Sequence, residues 1–87
     1  MLESLDCTVP LMLSDDYKER FKAEYYQLLI RYNKLTNMIE NWDSLDFIPT
    51  CKKDIFRQQR NAMKAYLDIL EQRALIEKIL IYKIKRA

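Results

Sequence analysis

The sequence contains neither glycine nor histidine. An average glycine usage of about 7% would place roughly six glycines in a chain of this length. Gly-rich phosphate loops, dinucleotide-binding fingerprints and nucleophile elbows need backbone without a Cβ, so the sequence excludes them. The lack of histidine excludes Ser-His-Asp and Cys-His catalysis, imidazole metal ligands and the usual proton shuttle near pH 7. We therefore predict a protein that is not an enzyme and that uses no cofactor and no metal.

Cysteine is also scarce, with only Cys7 and Cys51. Two cysteines without Cys-x-x-Cys spacing do not make a disulfide scaffold. No apolar run approaches the roughly 18 residues of a membrane span. The N-terminus carries Glu3 and Asp6 and lacks the basic region of a signal peptide. We expect reduced thiols in the cytoplasm of a cell and no membrane partner.

The chain has 87 residues, of which 49% are hydrophobic and 32% charged. This length allows one domain, and such a small domain buries only about 60–65% of its unfolded surface. The apolar content therefore predicts that part of the surface contacts other chains. The net charge of +2 is unevenly spread, because residues 52–87 contain ten Lys or Arg against four acidic residues.

Two long helices are predicted. In the first, apolar residues recur in steps of four and three at Phe21, Tyr25, Leu28, Tyr32, Leu35, Ile39 and Trp42. This heptad seam predicts a helix from about 15 to 42, with Asp16 in a capping box and Asn41 ending it in the left-handed conformation. The seam is widened by Tyr26, Leu29, Ile30 and Met38, which predicts more than one neighbour.

The remaining segments are an arm, a loop and the second helix. Residues 1–13 are predicted as an N-terminal arm, since Pro10 biases Val9 away from helix. In the loop over 43–50 we expect Phe47 to tuck under the turn and Thr50 to cap the second helix. That helix is predicted from about 51 to 82.

From Leu75 onward the second helix is apolar on nearly all sides, which predicts self-association through this segment. A terminal strand over 79–84 is the alternative. The predicted fold is all-α: an antiparallel two-helix hairpin over 14–87 behind the arm, in an oligomeric helical assembly.

Three motifs lie in the segment from about 16 to 80: Tyr17-Lys18-x-Arg20 with Glu24-Tyr25, Leu45-Asp46-Phe47-x-Pro49-Thr50-Cys51, and Gln59-x-x-Ala62-Met63-x-x-Tyr66-Leu67-x-Ile69-Leu70-Glu71-x-Arg73-Ala74-x-Ile76-Glu77. With these motifs the segment resembles a family of small helical-hairpin proteins of phages and mobile elements, first named from crAss-like phages. The resemblance implies a phage-encoded hairpin that acts in the cytoplasm of the bacterial host. In architecture the hairpin is also similar to phage proteins that sequester nucleotide immune signals as oligomers.

Basic residues at the start of the second helix form the candidate ligand site. Their four-three-four steps place Lys53, Arg57, Arg60 and Lys64 on one helix face, and Phe56 offers a ring for stacking on a base. A helix N-terminus also presents free N–H groups, so this face suits phosphate. The alternative interpretation is a solvated helix face.

A second set of residues is predicted to form protein interfaces: Tyr17, Tyr26, Tyr66, Ile76 and Leu80. Tyrosine is frequent at interfaces, and we expect Tyr17 and Tyr26 to be exposed. The alternative is that the tyrosines belong to the core with their hydroxyls at its rim.

Three functions are compatible with these features. The first is a homo-oligomer that sequesters an anionic nucleotide signal, such as a cyclic nucleotide of a host defence system. The second is an inhibitor that binds a host defence protein. The third is a nucleic-acid-binding scaffold, although a pI near 8.5 and the lack of a helix-turn-helix pattern disfavour specific DNA binding.

Overall fold

The structure of the chain, a computed structural model, describes residues 8–81 and 86. Its elements are α1 (Val9–Met12), α2 (Tyr17–Glu40), a 3-10 turn (Trp42–Ser44) and α3 (Lys53–Ile76). Helices α2 and α3 pack against each other as an antiparallel hairpin, and α1 packs against α2. No strand is present among the described residues. The predicted all-α hairpin is therefore confirmed.

Helix α2 is central because it is covered on two sides. Its buried residues are Phe21, Ala23, Tyr25, Tyr26, Leu29, Ile30, Tyr32, Thr36 and Ile39. They include most of the heptad seam and most of its flank, so the predicted second neighbour is confirmed, and it is α1. Tyr26, which was expected to be exposed, is only 2% exposed. That expectation was wrong because the flank as well as the seam of α2 is covered.

The N-terminus of α2 follows the sequence signal closely. Asp16 is the N-cap, and its Oδ1 accepts a hydrogen bond of 2.9 Å from the backbone N–H of Lys18. At the other end, Asn41 is the C-cap as predicted, but with φ −107° it is not left-handed. Its side-chain amide donates instead to the carbonyl of Asn37 at 2.8 Å.

The arm and the loop differ from the prediction in three places. Val9 begins α1 despite the following proline, because a proline in the first helical turn removes no hydrogen bond. Phe47 is 53% exposed and does not tuck under the turn. Thr50 is not the cap of α3, since the N-cap is Lys52 and makes no side-chain hydrogen bond.

Helix α3 ends six residues earlier than the predicted limit of 82, at Ile76. Lys78 has φ 56° and is the only described non-glycine residue with positive φ. The Ile79 N–H donates to the Ala74 carbonyl at 2.8 Å, and Ile79 is buried in the core. This is a Schellman motif, in which glycine usually occupies the left-handed position. A chain without glycine uses a lysine there, so the sequence carried no visible stop signal.

The alternative prediction of a terminal strand over 79–84 is not supported by the described part of the chain. Residues 79–81 lie in no regular element, and Arg86 is the last residue described. Positions 82–84 of that alternative, like residues 1–7 of the arm, lie outside the described residues.

Candidate functional site

The half of the hairpin that contains the chain ends is tightly joined, and three tyrosine–glutamate pairs cross between its helices. The Tyr25 hydroxyl of α2 donates to Glu71 of α3 at 3.0 Å. Tyr66 of α3 donates to Glu24 of α2 in the reverse direction. A third pair joins Tyr17 to Glu77 just after α3. These contacts set the register of the two helices.

Around Glu77 the third pair becomes a small network. The Arg73 Nε lies 2.9 Å from a Glu77 carboxylate oxygen, and another Arg73 nitrogen donates to the Tyr17 hydroxyl at 2.9 Å. Its guanidinium also lies 4.9 Å from the centre of the Phe21 ring. The hydrogen bonds from Tyr17 and Arg73 lower the pKa of Glu77, and the bond to Glu77 raises the pKa of Tyr17. The side chains of Tyr17, Arg73 and Glu77 therefore stabilise the contact between the two helices.

A second network lies beside it on α3. Arg86 donates to Asp68 at 2.8 Å and also pairs with Glu71. Burial, and then the hydrogen bond to Glu71, raise the pKa of Tyr25 well above its usual value. A tyrosine held neutral in this way is a hydrogen-bond donor in a structural network. The sequence has no histidine that could relay a proton from it.

The loop half of the hairpin is different, because its α3 segment carries the predicted basic residues. We name Lys53, Arg57, Arg60 and Lys64 the basic face. Arg57 and Lys64 are exposed, whereas Lys53 and Arg60 are half-buried. The first turn of α3 begins at Lys52 without a side-chain cap, so cations and unshielded backbone N–H groups lie together.

The basic face has few anionic partners in the part of the chain that the structure describes. Arg57 lies 3.7 Å from Asp54, and both side chains are largely exposed, so the pair is weak. No described carboxylate pairs with Lys53, Arg60 or Lys64. The only hydrogen bond shown for Arg60 is a 3.4 Å contact with its neighbour Asn61. The face is available to an external anion.

The structure adds a residue that the sequence analysis did not assign to this site. The Phe56 ring lies 5.9 Å from the Trp42 ring at an angle of 56°, and both side chains are half-buried. Trp42 appeared in the sequence only as the last position of the seam. The ring pair sits where α3 begins, next to the basic face.

The interface candidates are dispersed. Tyr17 and Tyr66 are 45% and 43% exposed, and Ile76 and Leu80 are 79% and 74% exposed. Tyr26 is buried and makes an edge-on contact with Tyr25 at 5.4 Å between ring centres, so it is not available to a partner in this fold.

Two further properties concern metals and membranes. Within the described residues, no three acidic or cysteine side chains are grouped closely enough to hold a metal ion. No helix in that part of the chain combines the length and the apolar character that crossing a membrane requires. Cys51 is exposed and not in a disulfide.

Comparison with known proteins gives one match. The model of the Sequestin family matches residues 15–76, which covers both long helices and nearly the same segment as the resemblance described above. No curated protein and no solved structure matches the chain. The family name denotes sequestering, which is consistent with a binding role.

Proposed function

Since the chain belongs to the Sequestin family, we propose that it is a phage-encoded protein that sequesters an anionic nucleotide immune signal, as an oligomer in the cytoplasm of the bacterial host. The observation that carries the proposal is the basic face. Cations that are left without carboxylate partners on a stable helix are expected where the protein binds an anion.

The chemistry of the basic face favours phosphate. Arg57 and Arg60 offer planar guanidinium groups that can each donate two hydrogen bonds to phosphate oxygens. Lys53 lies in the first turn of α3, where the partial positive charge of the helix adds to its own. Favourable placement of an anion at such a position contributes about 0.3–1 kcal/mol for an exposed site.

The adjoining rings favour a nucleotide over inorganic phosphate. Trp42 and Phe56 lie next to the basic face and are only half-buried, so part of the ring surface is open. Stacking of a base on an aromatic ring contributes about 1–3 kcal/mol in nucleic-acid-binding proteins. A cyclic nucleotide combines a base with phosphate groups and fits both features.

The test is a thermal-shift and calorimetry screen of cyclic mono-, di- and trinucleotides. A ligand present at 100 times its Kd adds about 2.7 kcal/mol to the free energy of unfolding. We expect Arg60→Ala and Lys53→Ala to abolish this gain. Lys18→Ala is the matched control, because Lys18 is an exposed cation at the far end of α2. The proposal is wrong if no nucleotide stabilises the protein, or if the control weakens binding as much as Arg60→Ala does.

A second candidate is favoured by the apolar surface at the end of the hairpin that contains the chain ends. Leu13 precedes α2 and Leu75 and Leu80 lie at or after the end of α3, and these leucines are 75%, 77% and 74% exposed. Exposed apolar patches of this kind mark protein-binding sites. In this alternative the chain blocks a host defence protein, and Leu75→Glu abolishes the protection of a phage while Arg60→Ala does not. The opposite pattern would favour nucleotide sequestration.

A further inference from the structure

Helix α3 carries two rows of residues with heptad spacing, and only one of them faces α2. The inner row includes Leu67, Leu70 and Ala74, which are buried. A second row, which we name the outer stripe, consists of Ile55, Ala62, Ile69 and Ile76, each seven residues apart and each exposed. At about 100° per residue the two rows lie about a third of a turn apart.

The isoleucines of the outer stripe expose much of their apolar side chains to solvent. Ile55, Ile69 and Ile76 are 52%, 55% and 79% exposed. Between them, the other heptad positions on this side are Gln58, Ala65 and Gln72, which are exposed and uncharged. Apolar residues repeated every seven positions over three heptads supply one of the two core positions of a coiled-coil seam, and the other position is uncharged here.

The solvent-facing side of α2 provides an internal comparison. Eight residues of α2 are exposed, and all but Tyr17 and Asn37 are charged. A solvated helix in this protein is therefore highly charged, whereas the outer stripe and its intervening positions carry no charge at all. The difference indicates that the outer stripe is covered by another helix in the working protein.

We propose that the outer stripe binds the same stripe of a second copy of this chain, with the two α3 helices antiparallel. The positions are symmetric about a midpoint between Ala65 and Tyr66. When a second copy is turned end for end, Ile55 of one copy lies beside Ile76 of the other, and Ala62 lies beside Ile69. At the two inner positions the small Ala62 then faces the large Ile69, which allows close packing, and the contact is self-complementary as a two-fold interface requires.

The proposed contact leaves the candidate ligand site open. Lys53, Arg57, Arg60 and Lys64 lie on the side of α3 that is turned away from the outer stripe. The inference rests on the proposed function only in that both invoke more than one copy of the chain, and nucleotide binding by the basic face does not depend on which face of α3 joins the copies.

The first experiment measures mass by light scattering at tens of micromolar protein. We expect the wild type to be a dimer or an even-numbered oligomer, and Ile69→Glu to halve its mass. Ile48→Glu is the matched control, because it makes the same change at a loop position that is 94% exposed. Far-UV circular dichroism confirms that both variants keep their helices. A monomeric wild type, or a mass that Ile69→Glu leaves unchanged, overturns the inference.

The second experiment tests the orientation by cross-linking, with Cys7 and Cys51 both replaced by serine. A disulfide needs Cα atoms within about 7 Å, so only a position near the midpoint can pair with itself. We expect Ala65→Cys to form a cross-linked dimer on oxidation. Ile55→Cys should not, because its two copies lie about 32 Å apart at 1.5 Å per residue. Cross-linking through Ile55→Cys instead of Ala65→Cys overturns the antiparallel arrangement.

The proposed function and the dimer contact are separated by nucleotide titration of Ile69→Glu. Loss of dimerisation with intact nucleotide binding supports the outer stripe as a contact between copies and places the ligand within one chain. A wild-type dimer that binds no nucleotide leaves the contact standing and overturns only the proposed function.

Discussion

The two halves of the hairpin differ in how tightly their helices are joined, although each contains parts of the same two helices. In the half with the chain ends, α3 contributes all of its buried residues, Leu67, Leu70 and Ala74, and the three tyrosine–glutamate pairs cross there. In the loop half, no residue of α3 before Leu67 is buried, and the ring contact of Trp42 with Phe56 joins α3 to the turn. The buried contacts of α3 are therefore concentrated in one half, and the basic face lies in the other.

The largest expected effect tests this division directly. Leu70 is 1% exposed, so Leu70→Ala should lower the free energy of unfolding by about 2–5 kcal/mol. A protein of this size is stable by only about 4–13 kcal/mol, and urea denaturation should show the loss clearly. Met63→Ala, at a half-buried position nearer the loop, should cost less than half as much. Equal losses at the two positions would contradict the comparison.

Removing one hydroxyl from the tyrosine–glutamate pairs should have the next largest effect. Tyr25→Phe removes a hydrogen bond to a carboxylate and should cost about 1.5 kcal/mol near pH 7. The raised pKa of Tyr25 means that its stabilising effect is complete below pH 10 and is lost as pH rises above that value. Stability measured against pH should therefore fall less steeply above pH 10 in Tyr25→Phe than in the wild type.

Tyr32→Phe is a suitable control for that measurement, because Tyr32 is a buried tyrosine of the same helix that makes none of the three tyrosine–glutamate pairs. An alkaline profile that Tyr25→Phe leaves unchanged would show that the hydroxyl does not contribute to the register of the helices.

The left-handed lysine that ends α3 allows the stable half to be strengthened. Lys78→Gly should raise the free energy of unfolding by up to about 1 kcal/mol, because glycine adopts φ 56° without the steric cost of a Cβ. Lys78→Val should lower it, since a β-branched residue suits this conformation least. Thermal unfolding of both variants provides the check, and a loss of stability in Lys78→Gly would contradict the Schellman assignment.

The smallest expected effect concerns the first turn of α3. Lys52→Ser supplies a side-chain oxygen that can accept a hydrogen bond from the exposed backbone N–H groups, and should add about 0.5–1 kcal/mol. If the proposed function holds, the same substitution should weaken nucleotide binding, because it removes a cation and occupies the N–H groups. Stability and affinity changing in the same direction would count against a phosphate site at this turn.

The sequence predicted the elements whose signals are local. The heptad seam predicted α2, and Asp16 predicted its first turn, because capping depends on one side chain and its own backbone. The predicted end of α3 was wrong for an equally specific reason. A left-handed lysine is an uncommon stop signal, and it is tolerated here because Ile79 then enters the core.

The candidate site was predicted in part. The basic face follows from helical spacing alone, and its members share one side of α3. That Trp42 would meet Phe56 depends on how the loop returns the chain, which no local pattern encodes. The burial of Tyr26 likewise depends on packing on both sides of α2.

The sequence by itself determined that the chain would be two long helices, since without glycine and with few prolines it offers few places to stop. It also determined that α3 would begin with a row of cations. Only the tertiary structure decided which heptad row of α3 would face α2, because both rows are apolar and a single helix favours neither. Packing in the half with the chain ends buried one row and left the other exposed. The exposed row is the one through which we propose that two copies of the chain bind each other.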